Sequence, residues 1–292
     1  MLEILNIVLP TFIIILIGYL LQRVKKLDMK SVVEIVFWIG LPALAFTSII
    51  DKPIVLLDAT RVWASAIMIM AGCSLSAWLV FKMIKQKHSG LYLPILIMNA
   101  VNIPFPIISM LYGSEGLFAA TLFYIPNMLT LYTVGIYLVS GRPWKEGLKE
   151  VVKVPALYAA VSGLIVNFGN ITVPDLVLKP LSVIGAMVIP LVLLILGANL
   201  ATVKLRDLKT TLLASFLRIG VGLALGFLAV NLFHLTGILR TVVILDSAMP
   251  AAANTAMMAT RYQNEAEAVS SVVFFTSIAS LVIIPFLLSI LT

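Results

Sequence analysis

Long runs without charged residues recur along this 292-residue chain, and short polar stretches separate them. Each run has about 20 residues, the length that an α-helix needs to cross a hydrocarbon core of roughly 30 Å. Only 11% of the residues are charged, whereas about a quarter are charged in a typical soluble domain. The sequence therefore predicts that a lipid bilayer is the solvent for most of the chain.

The runs predict an all-α polytopic membrane protein with ten spans. The spans are expected at 4–22, 32–50, 61–81, 91–112, 116–139, 154–172, 180–202, 210–233, 238–260 and 267–290. A membrane strand needs only about 9–11 residues and alternates apolar with polar positions, which these runs do not. Helices also pair every backbone group within the segment, as a bilayer demands.

Lysine and arginine are divided unevenly among the connections between spans. Fifteen of the 20 lie in the odd-numbered connections: Arg23, Lys25, Lys26, Lys30, Lys82, Lys85, Lys87, Arg142, Lys145, Lys149, Lys153, Lys204, Arg206, Lys209 and Arg261. The even-numbered connections hold Lys52, Arg61, Lys179 and Arg240. This bias predicts a multi-pass protein of the cytoplasmic (inner) membrane with both termini outside. We expect Arg218, in the eighth span, to snorkel to the cytoplasmic interface, with an interior role as the alternative.

The chain also shows signs of an internal repeat. The longest polar connection, 141–153, is expected to be a cytoplasmic linker between residues 1–140 and 154–292. Prolines recur in the two halves at offsets of 145, 148 and 146 residues: Pro10 with Pro155, Pro42 with Pro190, and Pro104 with Pro250. Because five spans is an odd number, the second half enters from the opposite face, which predicts two inverted five-helix repeats.

The fourth and ninth spans carry prolines and polar side chains at corresponding places. The candidate substrate-binding residues are Asn99, Asn102, Pro104, Pro106, Pro250 and Asn254. Proline removes a backbone donor and breaks a helix, and the freed groups are tolerated at bilayer depth only inside protein or beside a cavity. We therefore expect the two breaks to meet and to hold an anion between half-helix N-termini and Asn amides. Two independent proline kinks are the alternative.

Asp246 is the acidic residue that lies well inside a span. A carboxylate at that depth costs about 3 kcal/mol on insertion scales, so it is a candidate for a coupling Na⁺ or H⁺ site. The alternative is a hydrogen bond that secures the broken helix.

Other classes of site and partner find little support. The sequence shows no HExxH, GxSxG or Gly-rich phosphate loop, so we expect no enzyme and no cofactor. Cys73 is the single cysteine, which excludes an internal disulfide. The basic residues lie between apolar runs without a nucleic-acid motif, so the net charge of +7 does not indicate nucleic-acid binding.

The residues resemble those of the auxin efflux carrier family over essentially the full chain. The similar stretches are LPTFIIILIGYLLQRVKKLD, WIGLPALAFTSI, PLVLLILGANL and SAMPAAANTAMMATRY. In the fourth span Asn99, Pro106 and Gly113 match the family's spacing, whereas AVNIPF replaces its two glycines and adds Asn102 and Pro104.

The resemblance implies a fold shared with sodium–bile acid symporters, in which the fourth and ninth spans unwind and cross at the substrate site. It also implies a homodimer in which a transport bundle and a scaffold bundle, interleaved from both halves, alternate access like an elevator. The implied substrates are small organic anions, namely auxin-like carboxylates, malate and malonate. A sodium- or proton-coupled symporter of the bile-acid type and a non-transporting membrane receptor are the alternatives.

Overall fold

The computed structural model describes residues 2–51, 55–141, 144–203, 205 and 207–291. Lys52, Arg142, Lys204 and Arg206, which entered the orientation argument, lie outside the described residues.

The regular secondary structure of the described chain is all α-helical apart from short π-helical turns, as predicted, and the described residues form no strand. The helices are α1 (Leu2–Lys25), α2 (Lys30–Ile50), α3 (Leu56–Met83), α4 (Tyr92–Leu96), α5 (Pro104–Ser140), α6 (Trp144–Val151), α7 (Pro155–Phe168), α8 (Asp175–Leu200), α9 (Leu208–Leu232), α10 (Gly237–Ser247), α11 (Ala253–Arg261) and α12 (Ala266–Leu291). Among the described residues seven helices are long and apolar enough to cross a membrane: α1, α2, α3, α5, α8, α9 and α12. The protein is therefore a multi-pass membrane protein.

Large apolar side chains cover much of the outer surface. Leu176, Val183 and Val282 are 86%, 74% and 74% exposed. Such exposure would cost a soluble protein free energy, but it places these side chains against lipid in a bilayer.

Two of the closest helix contacts are made through glycine. A Cβ on Gly18 of α1 would come within 2.8 Å of the Leu194 Cα of α8. A Cβ on Gly197 of α8 would overlap the Ile15 carbonyl oxygen of α1. Small residues let the two backbones touch, which gains dispersion contacts where lipid offers no hydrophobic driving force.

The predicted boundaries shift where local turn chemistry ends a helix. The sixth span was expected at 154–172, but α7 ends at Phe168 because Asn170 adopts a positive φ of 49°. A left-handed residue at this place closes a helix by pairing its last carbonyls. The following helix starts at Asp175, five residues before the predicted 180, directly after Pro174. The predicted linker 141–153 contains a short helix, α6.

Candidate functional site

The two predicted helix breaks are present, and they meet. Residues 97–103 separate α4 from α5, and residues 248–252 separate α10 from α11. The backbone N–H of Asn99 donates to the Pro250 carbonyl at 2.8 Å, and the backbone N–H of Ala252 donates to the Ile97 carbonyl at 3.1 Å. Met98 and Ala251 lie opposite each other in this antiparallel bridge. The breaks are therefore one structural unit, which we call the crossing, and not two independent kinks.

Side chains outside the crossing pair two backbone groups that the crossing itself leaves without a hydrogen bond. The side-chain amide (Nδ2) of Asn127 in α5 donates to the Met98 carbonyl at 2.9 Å. The Ala251 amide donates to the Thr276 hydroxyl of α12 at 3.1 Å. Because an unpaired backbone group costs several kcal/mol in hydrocarbon, these two side chains are part of the site's construction. Sequence reasoning missed both, although an amide inside an apolar span was a signal that could have found Asn127.

Arg218 corrects a prediction. Its side chain was expected to reach the cytoplasmic interface, but it is completely buried. Nη1 donates to the Ile95 carbonyl at 3.0 Å and Nη2 donates to the Ser247 carbonyl at 2.7 Å. Helix C-termini leave their last carbonyls unpaired and carry partial negative charge. The ends of α4 and α10 therefore offer the guanidinium a partner that the local sequence of α9 does not reveal.

The helix that carries Arg218 is shaped to fit the crossing. Residues Leu217–Val221 form a π-helical turn inside α9, a local widening that often marks functional positions. A Cβ on Gly222 would come within 2.5 Å of the Ser247 carbonyl oxygen, and a Cβ on Gly226 would overlap the Ser247 hydroxyl. The two glycines thus let α9 lie directly against the end of α10.

The predicted asparagines line a small cavity of about 50 Å³ beside the crossing. Asn99 is 3% exposed; its Oδ1 accepts from the Asn102 amide at 2.9 Å, and its Nδ2 has no partner among the described residues. Asn102 is half-buried and Asn254 is exposed. Other lining residues include Phe37, Tyr124, Asn127 and Tyr132. Since one water needs roughly 10–15 Å³, the cavity has room for several.

The three predicted prolines shape the backbone and do not line this cavity. Pro104 is the first residue of α5 and Pro106 lies in its first turn. A proline there sacrifices no helical hydrogen bond, because the first N–H groups are unpaired in any case. The prolines of the fourth span therefore start the second half-helix, while the break lies before them. Pro250 supplies its carbonyl to Asn99.

Asp246 is fully buried at the end of α10. Neither carboxyl oxygen has a hydrogen-bond partner within the described part of the chain, so no described side-chain bond of the kind given as the alternative secures the helix. Its backbone carbonyl accepts from the Met249 amide instead. Asp246 forms no described ion pair with Arg218, and it is not among the residues that line the cavity.

Comparison with known proteins settles the family. The model of a family described as "Membrane transport protein", which includes the auxin efflux carriers, matches residues 3–153 and 144–288. The chain belongs to this family of membrane transport proteins. The resemblance drawn from the sequence is thereby confirmed.

Two archaeal relatives extend over nearly the whole membrane transport protein. An uncharacterized transporter of Methanocaldococcus jannaschii is 27% identical over 298 residues, with 96% of each chain covered. An uncharacterized transporter of Methanothermobacter thermautotrophicus is 28% identical over 294 residues, with 95% of each chain covered. The family and both relatives are transporters and not enzymes.

Proposed function

We propose that this protein is a secondary transporter that moves a small organic anion across the cytoplasmic membrane by alternating access. Malonate, malate and auxin-like carboxylates are the substrates that we favour. The observation that carries the proposal is the crossing of two broken helices beside a cavity lined by Asn99, Asn102 and Asn254.

The chemistry of the cavity favours an anion. The side-chain amide nitrogen of Asn99 is buried and has no hydrogen-bond partner among the described residues. The half-helices α5 and α11 begin at Pro104 and Ala253, next to the lining residues. Helix N-termini present amide donors and partial positive charge. No lysine or arginine is among the described lining residues, so the anion would be bound by dipoles and amides, from which it can be released.

We propose ten spans arranged as two inverted repeats, residues 1–140 and 154–292. α5 has 37 residues, which is about 55 Å of helix and too long for one crossing of roughly 30 Å. Gly113, at a φ of 58°, divides it. α1 packs against α8, and α7 packs against α2. The contact between the first and seventh spans thus has a counterpart between the sixth and second, as an inverted repeat requires.

Wide recesses support access from both faces in this topology. One recess of about 1010 Å³ is lined by Lys30, Arg261 and Glu267 and reaches Ala253, the first residue of α11. Its basic residues belong to the connections that the positive-inside rule places in the cytoplasm, with both termini outside. Another recess of about 420 Å³ is lined by Asp58 and Arg61. Elevator-like movement and a homodimer complete the proposal, and both rest on the family resemblance.

Export of an anion needs no coupling ion. An inside-negative potential contributes about 2.3 kcal/mol per 100 mV to the exit of a monoanion, close to a fifty-fold gradient. Uptake of the same anion would have to overcome this electrical free energy and would need a coupled cation.

The test is flux of radiolabelled malonate, malate and indole-3-acetate into proteoliposomes that contain the purified protein. We expect Asn254→Ala to lower the flux of the transported anion about tenfold or more, because a hydrogen bond to a charged group contributes about 1.5–3 kcal/mol. Asn231→Ala, an exposed asparagine on α9, is the matched control and should transport like the wild type. Equal flux in Asn254→Ala and the wild type would remove this site assignment.

A cation-coupled symporter of the bile-acid type is the second candidate, and it is favoured by the buried carboxyl of Asp246, which has no hydrogen-bond partner among the described residues. In that case transport by the wild type would depend on sodium or on pH, and Asp246→Asn would abolish the dependence. Flux that is the same with sodium or choline, and the same from neutral to mildly acid pH, would exclude it.

A further inference from the structure

Arg218 is a buried charge for which the described residues supply no anionic partner. The side chain is fully buried, and within the described residues no carboxylate forms an ion pair with it. A guanidinium stays protonated in proteins, and burying such a charge is costly unless other groups compensate it. The groups that do so here are the Ile95 and Ser247 carbonyls.

Both carbonyls lie at the C-terminal ends of half-helices that stop inside the protein. α4 ends at Leu96 and α10 ends at Ser247. In transporters with broken helices, such half-helix ends and unwound carbonyls coordinate the coupling Na⁺ or H⁺. Two nitrogens of one planar guanidinium reach the two carbonyls, which shows that they lie close enough to share a single positive charge.

We propose that Arg218 is the built-in cation of the crossing: its guanidinium takes the place that a sodium ion would take between the ends of α4 and α10. The anion transporter proposed above then needs no sodium at these carbonyls, since the compensating charge is covalently attached and never leaves. This inference deepens the proposed function, because it explains how the crossing remains assembled in an uncoupled cycle.

The surroundings fit a fixed cation. The π-helical turn Leu217–Val221 holds the residue inside α9, and Gly222 leaves space for the hydrogen bond to Ser247, since a Cβ there would overlap the Arg218 Nη2 atom. Nε remains without a described partner, so the side chain is positioned by its two carbonyl contacts. Arg218 is thus a positioning residue, which acts on the cargo only through the crossing.

The experiment compares the wild type with Arg218→Ala and Arg218→Lys, purified in parallel in sodium, choline or methylguanidinium chloride at equal ionic strength. The readouts are the yield of monodisperse protein and its melting temperature. Arg218→Ala should be unstable in choline, and sodium or methylguanidinium should raise its melting temperature by about 2–4 °C more than that of the wild type. Arg218→Lys retains a cation and should not respond.

A matched control is Arg240→Ala, which removes an exposed arginine from α10 and should behave like the wild type in all three salts. If Arg218→Ala folds but gains nothing from sodium or methylguanidinium, the inference is overturned. The same holds if its yield is equally low in all three salts, or if Arg218→Lys responds as strongly as Arg218→Ala.

Malonate flux gives a second readout that separates this inference from the proposed function. Wild-type flux should be equal in sodium and choline, whereas flux in Arg218→Ala should be several-fold higher in sodium. If no carboxylate is transported by the wild type, the proposed function fails, but the cation-dependent stability of Arg218→Ala still decides the inference.

Discussion

In the contact between α1 and α8, two continuous helices touch through Gly18 and Gly197. At the crossing, by contrast, Arg218 donates to the ends of α4 and α10, Asn127 donates to the Met98 carbonyl, and Thr276 accepts from the Ala251 amide. The first contact depends on shape alone, since the helices satisfy their own backbones. The second depends on polar side chains that replace the hydrogen bonds which the breaks remove.

The difference indicates that the two regions have different roles. A glycine contact fixes the distance between two helices and offers no polar group to a ligand. The crossing exposes amides and carbonyls to other groups, and this is what a substrate site needs. The crossing therefore depends on several side chains that are distant in sequence, and each of them must be present. Substitutions should therefore act sterically in the first region and through unpaired polar groups in the second.

The largest effect is expected from Gly197→Leu. Its Cβ would overlap the Ile15 carbonyl oxygen, and backbone on both sides leaves no flexible group to yield. We expect destabilisation of about 3 kcal/mol or more, at the upper end for overpacked sites. Thermal melting in detergent measures it. Transport per folded molecule should stay close to that of the wild type, because the site is elsewhere.

Gly72→Ala is the control for this prediction. Its Cβ would meet the Leu225 side chain, whose flexible end can move, so the melting temperature should change little. If Gly197→Leu were as stable as Gly72→Ala, close backbone contact would not be what joins α1 to α8.

A smaller effect, about 1–3 kcal/mol, is expected from Asn127→Leu. The substitution leaves the Met98 carbonyl buried without its donor, and the loss of a buried partner costs roughly that amount. Because the carbonyl belongs to the crossing, malonate flux per folded molecule should also fall. Unchanged stability and flux would show that water or another group satisfies Met98, and that Asn127 only lines the cavity.

The sequence predicts those features of the two regions that depend on neighbouring residues. It does not predict those that depend on contacts between residues far apart in the chain. The breaks can be predicted from Pro104, Pro250 and the nearby asparagines, because a missing backbone donor is a local property. The side chains that form hydrogen bonds with the backbone near the breaks are distant in sequence. Arg218, for example, is 123 residues from Ile95. No local pattern distinguishes such an arginine from one that snorkels, so its burial could not be predicted from α9 alone.

The finer errors at the site have the same physical cause. From the sequence, Pro104 and Pro106 stand in the middle of an apolar run and suggest a break at their own positions. In the structure they begin α5, and the break lies in residues 97–103 before them. Proline fits the first turn of a helix better than its interior. The position of the break was thus predictable to within a turn, whereas the direction in which the prolines act depends on the crossing.

The smallest effect is expected from Thr276→Val, a nearly isosteric change that removes the acceptor for the Ala251 amide. We expect about 1 kcal/mol, the lower end of the cost of leaving one buried donor unpaired, together with a modest loss of flux. Thr121→Val is a close control, because the Thr121 hydroxyl donates to the carbonyl of Leu117 in its own helix and, within the described residues, pairs with no group of the crossing. Valine there should cost less, since no group of the crossing loses a partner. Equal costs at both positions would mean that the hydroxyl of Thr276 matters for its own helix and not for the crossing, and the contrast between the two regions would then rest on Arg218 and Asn127 alone.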